Sequence, residues 1–250
     1  MELVLQSSPG ISPRHLDHHY TDKVLFSALM ERWQRCYRAE FPQHDDVALF
    51  RSLNMANSAA MMPAGVEATM YDIGRSVSLW VSAFEILAPA KSAAFFTVYE
   101  LFKKVEYGLT DVGDPIYEAH GFKTTQTKEI LPCWIYGELY KARNDFLHGN
   151  PIDSERLMTK PSRRSLYIYA ALLYRLALTG LLNLRFDGPI PPSEDTAAFA
   201  AHISDRMDYR QYQSHIEAAV STILYTEEEY RARSRGKIAN LPTPRLPLPI

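Results

Sequence analysis

The residues best suited to chemistry in this chain lie together in Lys141-Ala142-Arg143-Asn144-Asp145-Phe146-Leu147-His148-Gly149-Asn150. An arginine can hold a phosphate with a planar fork of N–H donors. A histidine can move a proton near neutral pH. Arg143 and His148 thus bring most of what metal-free cleavage of an RNA phosphodiester requires, with Asn144 and Asp145 as polar neighbours. The segment closes an apolar, helix-like run that Gly149-Asn150-Pro151 should stop.

Successive residues of an α-helix advance about 100° around its axis, so two residues five apart, such as Arg143 and His148, lie about 140° from one another. Asn144 and His148 share a face, as do Arg143 and Leu147. A single copy of the segment is therefore an awkward catalytic site. The same residues also read as a polar helix end, with His148 at the terminal carbonyls and Gly149 in a left-handed turn. At a helix C-terminus the partial negative charge would favour imidazolium, an acid or a phosphate-binding group.

The motif Arg143-Asn144-Asp145-Phe146-Leu147-His148 resembles the R-x4–6-H motif of the HEPN superfamily, in which the arginine is often followed by asparagine. The run from Tyr71 to Glu85, with Trp80 and Phe84 inside it, resembles the long first core helix of the ApeA-like HEPN branch. The resemblance covers roughly residues 67–186. It implies a HEPN-like antiparallel helical bundle and a homodimer in which the motif helices of two subunits face each other. It also implies an endoribonuclease that needs neither metal nor other cofactor and works by attack of an RNA 2′-hydroxyl on the adjacent phosphate. His148 would move the proton and Arg143 would steady the phosphoryl oxygens. Asn144, and less directly Asp145, would orient the imidazole or hold the phosphate. Glu85 would reach the motif and pair with Arg143 or Lys141. Such proteins often act as toxins or in defence against phage, so an antitoxin or other partner chain is a further expectation. Two other readings stay open: a HEPN-like RNA-binding or protein-interaction module that keeps the motif without cleaving, and an unrelated helical protein with a capped helix end.

Lys160, Arg163 and Arg164 form a basic group after the motif that could track an RNA backbone, or simply a solvated helix start. Tyr140, one turn before Arg143, could stack on a base or pack in the core. His15, Asp17, His18 and His19 carry metal-binding side chains, but no second cluster with ligand spacing accompanies them, and no metal site is expected. The PxxP pattern from Pro244 to Pro247 fits a spacer better than a docking motif.

The rest of the chain sets limits on these readings. A net charge of −2 over 250 residues gives no global footprint for nucleic acid, so RNA would have to meet a local patch. Hydrophobic residues make up 46% and charged residues 22%, enough for a sizeable core. Two cysteines, Cys36 and Cys133, stand far apart, which speaks against a disulfide framework or a zinc site. The first residues lack a basic, then apolar, secretory pattern, and a cytoplasmic protein is the simplest expectation. The run Leu166–Leu184 is apolar enough to suggest a membrane span, but Arg175 sits at its middle. A charge there costs at least about 2.5–3.5 kcal/mol in hydrocarbon, so a buried helix is the better reading.

Hydrophobic periodicity predicts an all-α chain. Helices are expected near 22–39, 45–61, 67–87, 92–107, 130–147 and from Arg163 to 184, then near 194–207 and 209–234. Residues 108–126, rich in glycine and proline, read as a long loop. The organisation predicted is an N-terminal arm and helical extension (1–62), a HEPN-like bundle (63–188), and a C-terminal helical extension with a proline-rich tail (189–250).

Overall fold

The computed structural model describes residues 22–38, 41–63, 68–88, 94–120, 126–150, 156–159, 164–185 and 190–234. Most of these residues are helical. The helices are α1 (Lys23–Arg38), α2 (His44–Ala60), α3 (Met70–Leu87), α4 (Ala94–Lys103), α5 (Thr110–Gly113), α6 (Leu131–Leu147), α7 (Ala170–Leu182), α8 (Thr196–Ser221) and α9 (Glu227–Ser234). Short 3-10 turns precede α7 and follow α8.

Helix α3 lies at the centre and packs on α2, α4, α6 and α7. Its start is fixed by a capping box: Thr69 Oγ1 accepts from the Asp72 amide at 3.3 Å, and Asp72 Oδ2 accepts from the Thr69 amide at 2.9 Å. Its buried stripe includes Val77, Trp80, Val81, Phe84 and Leu87, spaced as an amphipathic helix requires. The Phe84 ring meets Phe102 of α4, Tyr136 of α6 and Tyr174 of α7 at centroid distances of 6.1, 5.1 and 5.5 Å. These edge-on contacts join four helices through one side chain.

Contacts along α3 and α6 run in opposite directions. Gly74, near the start of α3, faces Phe146 at the end of α6, whereas Phe84, near the end of α3, meets Tyr136 in the first half of α6. The two helices are therefore antiparallel. On α4 and α7 the backbones touch, because a Cβ added at Gly180 would stand 1.9 Å from the carbonyl oxygen of Leu101.

The all-α expectation holds, but the segment read as loop contains the short helix α5 and begins a hairpin. Tyr117–His120 and Gln126–Glu129 pair as an antiparallel hairpin, with Tyr117 opposite Glu129. Four residues per strand are too few for the alternation to stand out, although Tyr117 and Ala119 are buried and Glu118 is exposed. The C-terminal helices also divide differently. One helix runs unbroken from Thr196 to Ser221, since nothing near Asp208 is a helix breaker. The break falls at Thr226, whose hydroxyl and Glu229 cap α9 reciprocally.

Arg175, in the apolar run, donates from Nε to Asp22 at 2.8 Å and also bonds Thr179. Among the described residues no helix is long and apolar enough to cross a membrane. Cys36 and Cys133 are free and buried. The polar arm with His15, Asp17, His18 and His19, and the proline-rich tail, lie outside the described residues.

Candidate functional site

Helix α6 carries the motif and is held by its N-terminal half. Leu131, Cys133, Ile135, Tyr136 and Leu139 are buried, and Pro132 sits in the first turn, where its missing N–H costs no hydrogen bond. The C-terminal end is closed by the backbone. The Asn150 amide bonds the Asp145 carbonyl at 2.9 Å, and the Gly149 amide bonds the Phe146 carbonyl at 3.3 Å. With Gly149 at φ 69° this is a Schellman cap, and His148 is its C-cap residue. The polar helix end anticipated from the sequence is therefore present, and it leaves the His148 side chain exposed.

Arg143 and His148 are not joined by any hydrogen bond among the described residues. Arg143 leans back against α3 and is 23% exposed, with one guanidinium nitrogen 3.6 Å from Glu85 Oε2. Of the two partners expected for Glu85, Arg143 and Lys141, the structure pairs it with Arg143. Side chains on a helix lean towards its N-terminus, so residues on two antiparallel helices lean towards each other across the seam. The other guanidinium nitrogen donates to Asn144 Oδ1 at 2.9 Å, and the group lies 5.8 Å from the centroid of the Tyr140 ring. Its Nε–H is buried without an acceptor. Asn144 links the two motif residues: its side chain bonds Arg143, and its carbonyl accepts from the His148 amide at 3.0 Å.

Asp145 is committed elsewhere. Its carboxylate accepts from Arg156 Nε at 2.9 Å and from Asn150 Nδ2 at 3.2 Å. Burial opposes its ionisation, but the hydrogen bonds from Arg156 and Asn150, with the charges of Arg156 and Lys141, outweigh burial and hold its pKa below the ordinary value. Arg156 also donates to Glu138 at 3.0 Å, two turns before Asp145 on the same face of α6. Lys141 is exposed. Glu138 and Arg156 escaped the sequence reading; the seven-residue spacing puts Glu138 and Asp145 on one face of α6 but gives no sign of Arg156.

Tyr140 packs on Phe95 at 4.8 Å and on Tyr136 at 6.2 Å, so its ring belongs largely to the core. The Tyr136 hydroxyl is buried with no hydrogen-bond partner. Burial drives its pKa well above the usual tyrosine value, and the charge of Glu85 adds to that. Arg164 is half-buried and donates to Thr222 Oγ1 at 3.3 Å, which ties it to the end of α8. Lys160 and Arg163 lie outside the described residues. Among the described residues no three His, Cys, Asp or Glu side chains gather closely enough to hold a metal ion.

Comparisons with protein-family models, curated proteins and solved structures find no match to this chain.

Proposed function

We propose that the chain is a HEPN-type endoribonuclease that cuts RNA without a metal ion, at a composite site made by the α6 ends of two copies. The observation that carries this reading is the end of α6 itself. An exposed imidazole stands at the helix cap, and a guanidinium with unspent donors lies about one turn back; Asn144 bonds Arg143 through its side chain and the His148 amide through its carbonyl. Their separation around the helix suits a site completed by a second copy, whose His148 would approach the first copy's Arg143. Leu147 at 55% exposure and Tyr71 at 76% add apolar surface beside the motif, as a subunit interface would use.

In this mechanism His148 accepts the proton of the 2′-hydroxyl, or donates one to the departing 5′-oxygen. Arg143 stabilises charge on the phosphoryl oxygens. The products are a 2′,3′-cyclic phosphate and a 5′-hydroxyl. The RNA, the homodimer, a restraining antitoxin and a role as toxin or defence effector all belong to this proposal.

The ion pair of Arg143 with Glu85 favours a second reading, a HEPN-like module that binds RNA or protein without cleaving. Both readings meet one experiment. Purified protein is incubated with total RNA in EDTA, wild type beside Arg143→Ala and His148→Ala, with the oligomeric state measured by light scattering. Cleavage that survives chelation and is lost at least a hundredfold in each variant, in line with loss of an acid–base group or a charge-stabilising donor, supports the nuclease. Intact RNA in every lane, from a folded dimer, sinks it in favour of the second reading.

A further inference from the structure

The polar groups where α3 meets α6 do not balance. Arg143 offers five N–H donors, yet it makes one hydrogen bond, to Asn144, and one long ion pair, to Glu85 at 3.6 Å. Its Nε–H is buried and unaccepted. Two turns earlier on α6, the Tyr136 hydroxyl is buried and unpartnered as well. A buried donor without an acceptor is costly, and native structures rarely leave two in one neighbourhood without a reason. Glu85 stands next to both: it is the ion-pair partner of Arg143, and it follows Phe84, whose ring packs on the Tyr136 ring at 5.1 Å.

We infer that Glu85 is a displaceable counter-ion for Arg143, holding the guanidinium while RNA is absent and moving to the Tyr136 hydroxyl when an RNA phosphate takes its place. The inference rests on the RNA-binding reading above and deepens it, because it names how access to Arg143 is controlled. A carboxylate and a phosphate present the same paired oxygens to a guanidinium, so Glu85 occupies the position of the ligand it excludes. Once displaced, a half-buried carboxylate beside a phosphate is doubly disfavoured unless it finds a donor. The Tyr136 O–H is that donor, already desolvated. Both arrangements satisfy Glu85, and only the RNA-bound one also uses the spare donors of Arg143.

Salt dependence gives this a signature that packing does not. When a free arginine binds a phosphate of single-stranded RNA, the phosphate sheds its condensed cation, and log K falls with log salt by about 0.7 per contact. If the arginine first has to release Glu85, salt also screens the ion pair that must be broken, which offsets part of that loss. The contact then adds affinity with a shallower salt dependence. Replacing Glu85 with glutamine removes that compensation.

The probe is a fluorescent single-stranded oligonucleotide with 2′-O-methyl groups, which binds but has no 2′-hydroxyl to attack. Binding is followed by anisotropy from low to moderate salt for the full chain. Glu85→Gln should bind about three- to tenfold more tightly at low salt, since Arg143 no longer has to leave a partly exposed ion pair before it meets the phosphate. Its salt slope should be steeper than that of wild type. Arg143→Ala and Arg143→Ala/Glu85→Gln should bind equally weakly. Tyr136→Phe should melt no lower than wild type, since it removes an unpaired hydroxyl, yet bind more weakly, with the effect reduced in the Glu85→Gln background. Glu85→Ala serves as a second variant if Glu85→Gln melts early. The inference is overturned if a folded Glu85 variant binds no more tightly than wild type while Arg143→Ala binds more weakly; the RNA-binding reading then stands alone. If wild type and Arg143→Ala bind alike, or not at all, both the reading and the inference fall.

Discussion

Arg156 shows how a side chain far from the motif in sequence fixes the motif's shape. Its guanidinium spans Glu138 and Asp145 on one face of α6, close to the helix end that carries His148. Asp145 in turn holds Asn150, the residue that closes the Schellman cap. Replacing Arg156 with alanine removes the cation that bridges two half-buried carboxylates. A loss of about 1–2 kcal/mol is expected, the value for charge-assisted bonds discounted for partial exposure. Urea denaturation checks it; an unchanged midpoint would show that the pair only decorates the surface. The contact was hidden in the sequence because it crosses from a loop to a helix, where periodicity carries no information. Glu85 was singled out only through the HEPN resemblance; its residue type and spacing fitted an ordinary surface glutamate equally well. The choice of Arg143 over Lys141 needed the direction in which the two helices run. The wheel geometry that separates Arg143 from His148 was legible in full, because it follows from spacing alone.

At the scale of elements, two glycines fix how the helices meet. Gly180 lets the backbones of α7 and α4 touch, and an added methyl would collide with the Leu101 carbonyl, which cannot rotate away. Alanine is the better helix former by about 1 kcal/mol, yet overpacking against backbone costs about 1–3 kcal/mol or more. Gly180→Ala should therefore lower Tm by several degrees, at about 2–4 °C per kcal/mol for a chain of this size. A higher Tm would mean that α4 and α7 have room between them. At Gly74 the obstacle is the Phe146 ring, 2.3 Å from an added Cβ. A ring can turn, so Gly74→Ala should disturb the end of α6 more than the fold. Its expected signature is a chemical-shift change at His148 with a Tm within a few degrees of wild type, and unperturbed His148 resonances would refute it. The helices were legible because their apolar stripes recur over several turns. The hairpin was not, since strands of four residues offer only two alternations each. The unbroken α8 was misread because polarity around Asp208 resembles a boundary, whereas only proline, glycine or a cap supplies one.

Across the whole molecule, local ion pairs anchor the flanking helices and set a response to acid. Asp46 of α2 has a fully buried carboxylate that binds Arg32 and Arg35 of α1 at 2.7 and 2.6 Å. The hydrogen bond from Arg35 is the main reason its pKa lies below the ordinary value of 3.8; burial opposes ionisation, and Arg32 adds to the lowering. At the other flank, buried Glu217 of α8 accepts from the amides of Gly108 and Leu109 at 2.9 and 2.8 Å and ties α8 to the turn before α5. A carboxylate whose pKa is lower folded than unfolded binds fewer protons in the native state, so stability rises with pH through its titration range. The contributions of Asp46 and Asp145 are therefore complete above the unfolded value near 4 and drain away as pH falls through the lower folded values. Asp46→Asn keeps the shape but cannot ionise, and two half-exposed arginines lose their charge partner, for a cost of about 1–2 kcal/mol at neutral pH. Urea unfolding between pH 3 and 7 should show wild type and variant converging as pH drops, with the wild-type curve the steeper below pH 4. Parallel curves would mean that Asp46 keeps its ordinary pKa and that α1 is held to α2 by packing alone. Convergence would show that protonating Asp46 releases the clamp of α1 on α2.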